Sequence, residues 1–411
     1  MKTFREILHV DMNNCYASIE TKLNPELRGL PIAVTGSVEE RNGIVLAKSQ
    51  EAKIMGVKTG ETIWEAKIKC PNLITVPPHY EEYLKHSLMA REIYYSYTNQ
   101  VEPFGLDEAW LDVSGSKRLK GTSIEIADEI RNRMKYEIGI SVSIGVSFNK
   151  VFAKLGSDMK KPDAITIITR EDFKQKVWPL AVDEMINIGR KTTKKLNKLN
   201  IFTLGDLANS DIEIIRRLLG INGVKLWNYA NGNDSSVVHD RNYKFPIKSV
   251  GNGTTCREDL VSRDDVYHAF QVLALKVCRR LIEYGYQAYG VQITLRNTNL
   301  EIEQFQEVFS YPTFSSIILV ERAMRLFNKY KFNQNIRSLG IRAINLCDIH
   351  STQIDIFAIE EKMVKKTNLD RALYEIRDKY GKKAITFASL KDNKKLPSEL
   401  QEIYTLPISR M

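Results

Sequence analysis

The sequence predicts an α+β chain of several domains. Three observations carry this expectation. At 411 residues and 43% hydrophobic content, the chain is too long for one hydrophobic core and apolar enough for several. Residues 140–147 alternate Ile140, Val142, Ile144 and Val146 with Ser141, Ser143, Gly145 and Ser147, the period of a strand. Residues 248–350 read as strand, helix, strand, strand, helix, strand, which closes into a four-stranded sheet backed by helices.

The elements follow in order. Ile7 to Val10 is an apolar run long enough for a central strand, ending at Asp11, and residues 13–20 turn helical. Ile32-Ala33-Val34 and Ile44 to Ala47 read as strands around the turn-rich Gly36 to Gly43, and Ser49 to Gly56 as a short helix with a glycine cap. Residues 83–97 suit an aromatic-rich helix. Pro103, Gly105, Asp107 and Glu108 make a turn into the strand of Trp110, Leu111 and Val113. Ile126, Ile130 and Met134 repeat every four residues over the helix 123–136, and Gly139 stops it. A helix over 149–159 and a strand over 164–168 complete this block. Residues 170–237 form a small helical unit with a helix at 192–199. Residues 237–247 have no period and read as a basic tether. Beyond it, Val266, Phe270, Leu273, Val277 and Leu281 share one helix face, and Val291, Ile293 and Leu295 alternate along a strand. Residues 351–411 are a tail with one helix, 369–380, capped by Gly381.

Composition narrows the partners. A net charge of +10 and a pI near 9.1 favour polyanions. The cysteines at 15, 70, 256, 278 and 347 are scattered and lack a CxxC pair, which points to a reducing cytoplasm and against a zinc site. No stretch of 18 uncharged apolar residues occurs, so no membrane span is expected. The N-terminus carries Glu6 and runs directly into the first strand, unlike a signal peptide.

The chemistry centres on acids. Asp107 and Glu108 stand side by side, which alone is ordinarily a solvated turn. Asp11, at the end of a buried strand, gives the pair weight. Three carboxylates, with the Met12 carbonyl as a further oxygen, suit two Mg²⁺ ions (Mn²⁺ also) and a nucleoside triphosphate. Gln50 and Lys53, three apart, share a helix face. Gly189 lets a phosphate approach a helix N-terminus, and Arg190, Lys191, Lys194, Lys195 and Lys198 follow with no acid between 185 and 200.

Four blocks, IxHVDMNxCYAxIE, GIVLAKSQEAKIMGVKTG, GLDEAWLDVS and SIGVSFNKVFAKLGSDMKKP, together resemble the Y-family DNA polymerases of the DNA polymerase IV and UmuC group. The resemblance implies a right-hand polymerase. Its palm would span 1–11 and 81–169, its small fingers 12–80, and its helical thumb with a helix-hairpin-helix 170–237. A linker at 238–247, an α/β little finger at 248–350 and a tail at 351–411 would follow. It implies that Asp11, Asp107 and Glu108 hold the metals, that Tyr16 is a steric gate under the sugar with Cys15 beside it, and that Lys53 and Lys161 meet the phosphates. Gly189, Arg190, Lys191, Lys194, Arg296, Arg337 and Arg342 would face DNA. Gln50 and Lys53 stand where the DNA polymerase IV branch usually has Tyr and Arg, and here the sequence looks more like UmuC. Gln353, Ile356 and Phe357 resemble the short peptide by which bacterial polymerases bind the sliding clamp. The expected activity is templated translesion DNA synthesis without proofreading, by a cytoplasmic monomer acting on primer–template DNA and dNTP. A nucleotide cyclase and a non-catalytic DNA-binding scaffold are the rival readings.

Overall fold

A computed structural model describes residues 5–39, 41, 43–330, 334–349, 361–381, 384–385 and 395. They divide into two compact units, one over residues 5–35 and 44–245 and the other chiefly over residues 246–349 and 361–381.

The first unit starts with β1 (Ile7–Met12) and α1 (Cys15–Leu23). A small excursion follows: β2 (Ile32–Thr35), β3 (Val45–Lys48), α2 (Gln50–Ile54), α3 (Ile63–Lys69) and β4 (Ile74–Val76). Its three strands make a sheet in the order β3-β2-β4. The chain returns through α4 (Tyr80–Tyr95), β5 (Val101–Phe104), β6 (Glu108–Asp112), α5 (Lys117–Lys120), α6 (Ser123–Arg133), β7 (Val142–Ser147), α7 (Lys150–Met159) and β8 (Ile165–Ile168). The helix that the sequence suggests at 123–136 ends at Arg133 and continues as a π turn over Met134–Ile138.

These strands form a five-stranded sheet, β5-β6-β1-β7-β8, with β1 in the middle and antiparallel to both neighbours. Period-two alternation then sorts the side chains. Leu8, Val10, Leu111, Ile144 and Val146 join one core with Tyr83, Ile93, Ile126 and Ile130. His9, Asp11, Glu108, Ser143 and Gly145 have the opposite parity and face α7. The small residues of β7 therefore meet a helix and not water. Gly145 makes this approach possible: a Cβ there would stand 1.8 Å from the Ala153 carbonyl oxygen and 2.6 Å from the Ser157 nitrogen. The Asn149 side chain caps α7 by accepting from the Phe152 N–H at 2.7 Å.

A helical cluster follows: α8 (Phe173–Val177), α9 (Arg190–Asn197), α10 (Leu204–Asn209), α11 (Ile212–Leu219) and α12 (Ile221–Ala230). Among the described residues, the segment beyond it forms no helix or strand before Ser249, in keeping with the tether read from the sequence, and buried groups fasten its first residues to the sheet. Val238 packs with Ile7, Trp110 and Ala153. Glu102 Oε2 accepts from Lys150 Nζ at 2.8 Å and from the His239 N–H at 3.0 Å. Arg5 donates to the Ser236 carbonyl at 2.7 Å. Pro103 is tolerated in β5 because that strand is an edge.

The second unit is β9 (Ser249–Leu260), α13 (Arg263–Tyr284), β10 (Tyr286–Asn297), β11 (Ile302–Thr313), α14 (Ser316–Phe327) and β12 (Ile336–Asp348), then α15 (Glu361–Tyr380), which starts well before the expected 369. The sheet order is β11-β10-β12-β9, all antiparallel. Phe270, Leu273, Val277 and Leu281 of α13 are buried against Val291, Ile293, Leu295 and Ile341.

Candidate active site

The sheet register assembles the acids. Asp11 pairs with Glu108 on β6 and with Ser143 on β7, so the two carboxylates sit side by side on the α7 face. Asp107 occupies the preceding turn, which the Met12 N–H fastens to β1 by donating to the Asp107 carbonyl at 3.0 Å. Gly105 enters that turn at φ 79°, a left-handed conformation suited to glycine.

Two lysines of the α7 region balance this charge. Lys161 Nζ donates to Asp11 Oδ2 at 2.8 Å and lies 2.9 Å from Asp158 Oδ1. Lys154 Nζ donates to Glu108 Oε2. Burial, then the Glu108 charge, raises the Asp11 carboxyl, with Lys161 opposing. Burial also works to raise Glu108, but His9 and Lys154 hold it down at about 2. Burial and the charges of Glu108 and Asp11 push Asp107 up to about 6. Among the described residues no three His, Cys, Asp or Glu side chains converge closely enough to hold an ion as they stand. Asp11 is paired with Lys161 and Glu108 with Lys154. The donor set still fits a hard divalent cation, since it is all oxygen and Asp107 lies buried beside the charges of Glu108 and Asp11.

Tyr16, in the first turn of α1, is half-buried and stacks on Tyr83 with ring centroids 4.1 Å apart, while Tyr80 meets it edge-on at 6.3 Å. Tyr83 is itself pinned, because its hydroxyl donates to the buried Glu20 carboxylate. Burial first and Asp107 next raise both the Tyr16 hydroxyl and the neighbouring Cys15 thiol, so both residues lie within reach of the acids.

Three models of the impB/mucB/samB family match: the family model over residues 10–158, its helix-hairpin-helix motif over 170–201 and its C-terminal domain over 247–356. The chain is 46% identical over 379 residues to DNA polymerase IV of Acetivibrio thermocellus, spanning 92% of this chain and 95% of that protein. The chain belongs to the Y-family DNA polymerases. DNA polymerase IV 1 of Bacillus subtilis (strain 168) is 37% identical over 384 residues, 93% of this chain and 92% of its own length. Among solved structures, a Y-family DNA polymerase chimera superposes with a TM-score of 0.74 at 22% identity, covering 84% of this chain and 99% of that one. The fold is thus that of an α+β polymerase with palm, fingers, thumb and little finger.

The remaining expected residues of this Y-family polymerase scatter more widely. Gln50 opens α2 half-buried and Lys53 is exposed one turn on. Lys48 donates to Thr59 Oγ1 at 3.0 Å; burial first and Lys53 next lower its pKa, so the two ammonium groups are neighbours. In the thumb, α9 starts two residues earlier than expected. Arg190 and Lys191 therefore lie in its first turn, exposed like Lys194, behind the exposed Gly189, which offers no side-chain cap. In the little finger, Arg296 and Arg342 have the parity opposite to the buried Leu295, Leu339 and Ile341, so they point away from the helices. Arg337 falls in a register shift between Ile336 and Ser338. Gln353, Ile356 and Phe357 lie outside the described residues.

Sequence reasoning passed over His9, Lys154, Ser157 and Asp158. Two signals were available: His9 is two residues before Asp11 on one strand, and Lys154 and Asp158 are one helical turn apart.

Proposed function

We infer that this chain is a template-directed DNA polymerase that copies damaged as well as intact DNA, with Asp11, Asp107 and Glu108 as its catalytic carboxylates. The observation that carries the assignment is the pairing of Asp11 with Glu108 at the end of the central strand, with Asp107 tied to the same strand by the Met12 N–H. Two Mg²⁺ ions (or Mn²⁺), when bound, supply the positive charge that lowers the pKa of the primer hydroxyl and neutralises the leaving phosphates. Asp11, Asp107, Glu108 and the Met12 carbonyl are the groups that would hold them. Lys53 and Lys161 bring ammonium groups to a triphosphate. The primer 3′-oxygen bonds to the α-phosphorus, the bond to the bridging oxygen breaks, and pyrophosphate leaves. Positioning and charge supply the rate, so no nucleophilic side chain takes part.

Domain roles follow the same reading, with the palm at 1–11 and 81–169, fingers at 12–80, thumb at 170–237 and little finger at 248–350. The exposed cations Arg190, Lys191 and Lys194 hold the DNA backbone without reading bases, and Arg296, Arg337 and Arg342 add to that grip. The chain acts as a monomer in the cytoplasm; among its described residues no helix is long and apolar enough to cross a membrane.

Primer extension with Mg²⁺ and dNTPs, on intact and lesion-bearing templates, tests the whole reading. Extension past the lesion is the expected result. No extension on either template, or formation of cyclic nucleotide, would overturn it. Replacing Tyr16 by Ala removes the clash with a 2′-hydroxyl, and dNTP-over-rNTP selectivity falls roughly a hundredfold, the worth of about 2.7 kcal/mol. Single-nucleotide kinetics with unchanged selectivity would make Tyr16 a packing residue for Tyr83.

Gln353, Ile356 and Phe357 form the proposed sliding-clamp peptide, with Gln353 bonding at a pocket rim and the two apolar side chains filling a cleft. Burying those two is worth roughly 3–6 kcal/mol before ordering costs, enough for an exchangeable tether that raises effective concentration at the primer end. Ile356→Ala with Phe357→Ala should abolish stimulation by loaded clamp and leave distributive synthesis unchanged. Equal stimulation in the double variant would end the assignment.

A further inference from the structure

His9 is wholly buried in the row of the sheet next to the acids, flanked by Trp110 on β6 and Gly145 on β7. A leucine would fill that space, as Leu8 does on the other face. An imidazole there carries two ring nitrogens that must find partners away from water. Nδ1 lies 2.8 Å from Ser157 Oγ. Nε2 faces Glu108 Oε2 at 3.0 Å, an electrostatic contact that lacks hydrogen-bond geometry. The Trp110 ring meets the imidazole at 60° with centroids 5.0 Å apart, so the ring cannot turn freely.

Ser157 ties the arrangement to α7. Its single hydroxyl proton serves either Nδ1 or the Lys154 carbonyl oxygen, 2.7 Å away one turn back, and with it directed at Nδ1 the imidazole presents Nε2–H to Glu108. The ammonium of that same Lys154 reaches Glu108 Oε2. One carboxylate oxygen is therefore approached from β1 by an imidazole and from α7 by an ammonium. The other oxygen is left for a cation.

We propose that His9, braced by Ser157, is a positioning residue that fixes the Glu108 carboxylate for metal binding. The proposal rests on the reading of Glu108 as a catalytic carboxylate. Groups that orient a metal-binding carboxylate act on affinity through the ligand they hold, and their loss typically costs about 10–100-fold in metal affinity or activity. His9 touches neither substrate nor metal in this scheme.

The test is a Mn²⁺ titration followed by electron paramagnetic resonance, on the full chain bound to dideoxy-terminated primer–template with the matched dNTP. Single-turnover extension at graded Mg²⁺ accompanies it. His9→Leu keeps the volume and removes both polar contacts. Mn²⁺ affinity should fall about tenfold or more, and extension should recover largely at high Mg²⁺. His9→Gln places an amide N–H where Nε2 lies and should restore most of the affinity. Ser157→Ala, a small change expected to fold whatever His9→Leu does, should weaken Mn²⁺ binding by about threefold, less than the tenfold lower end of that range because Ser157 acts only through His9. Wild-type Mn²⁺ affinity in both His9→Leu and Ser157→Ala would overturn the proposal. So would a folded His9→Gln as weak as His9→Leu. If Glu108→Gln itself leaves Mn²⁺ affinity unchanged, the carboxylate assignment fails instead, which separates the two failures.

Discussion

Asp107→Ala and Glu108→Ala each remove nucleotide incorporation by about three orders of magnitude and leave DNA affinity within about twofold. Each carboxylate sits at the end of a buried strand pair with negative charge in excess. Stabilisation of transition-state charge by a bound metal is worth several kcal/mol. A loss of about 4 kcal/mol is roughly a thousandfold at 1.36 kcal/mol per decade. DNA affinity is expected to survive because the cations proposed above to hold DNA, in α9, β10 and β12, are elsewhere in the chain. The fold survives as well, since Lys154 keeps Asp158 at 3.7 Å when Glu108 is gone. Single-turnover extension beside a fluorescence-anisotropy titration measures both quantities. Extension within tenfold of wild type in either variant would remove these residues from the chemistry.

Gly145→Ala has the second large effect, and it acts through packing. The added Cβ would stand 1.8 Å from the Ala153 carbonyl oxygen, which is backbone and cannot swing aside. Helix α7 must lift from β7, and Lys154, Ser157 and Asp158 lift with it. Overpacking costs typically 1–3 kcal/mol and occasionally more; a backbone clash belongs at the upper end. At roughly 2–4 °C per kcal/mol for a unit of this size, the melting temperature falls by about 6–12 °C. Extension at a temperature where the variant is still folded should drop by at least about tenfold, because the groups that meet Glu108 and Asp11 have moved. Gly115→Ala is the control, with open space around its Cβ and an unchanged melt expected. A Gly145→Ala variant as stable and active as that control would show that α7 is free to shift.

Much of the site was legible because its information is local. Asp11 ends a run of apolar residues, and Asp107 and Glu108 follow a Pro and a Gly, so strand and turn can be read from neighbours alone. The partners were hidden because they come from a helix remote in sequence. The family resemblance makes Lys161 a phosphate ligand, yet with Asp11 at hand the ammonium pairs with the carboxylate. His9 looks like one more filler in an apolar run, and only the packing of α7 and β6 shows Ser157 at its Nδ1 and Glu108 facing its Nε2. On β7, serine and glycine at alternate positions suit a solvated face equally well as a face on which a helix lies; the distinction is a distance between backbones, which no residue type encodes. The little finger was read in full element order because each of its strands and helices carries its own period. The anchors of the tether, Glu102 and Lys150, stayed hidden for a related reason: they lie far upstream.

That anchorage has a mechanical meaning. The chain leaves the palm sheet at Ile168, builds the thumb helices, and is fastened to the palm edge again at Val238 and His239. The thumb is therefore a loop closed at both ends on one sheet. Tension on residues 242–247 meets Arg241 first, whose N–H donates to the Asn99 carbonyl at 2.9 Å, and next His239, held by Glu102 of β5. Force passed along the backbone from the little finger reaches the catalytic sheet without first pulling on the thumb.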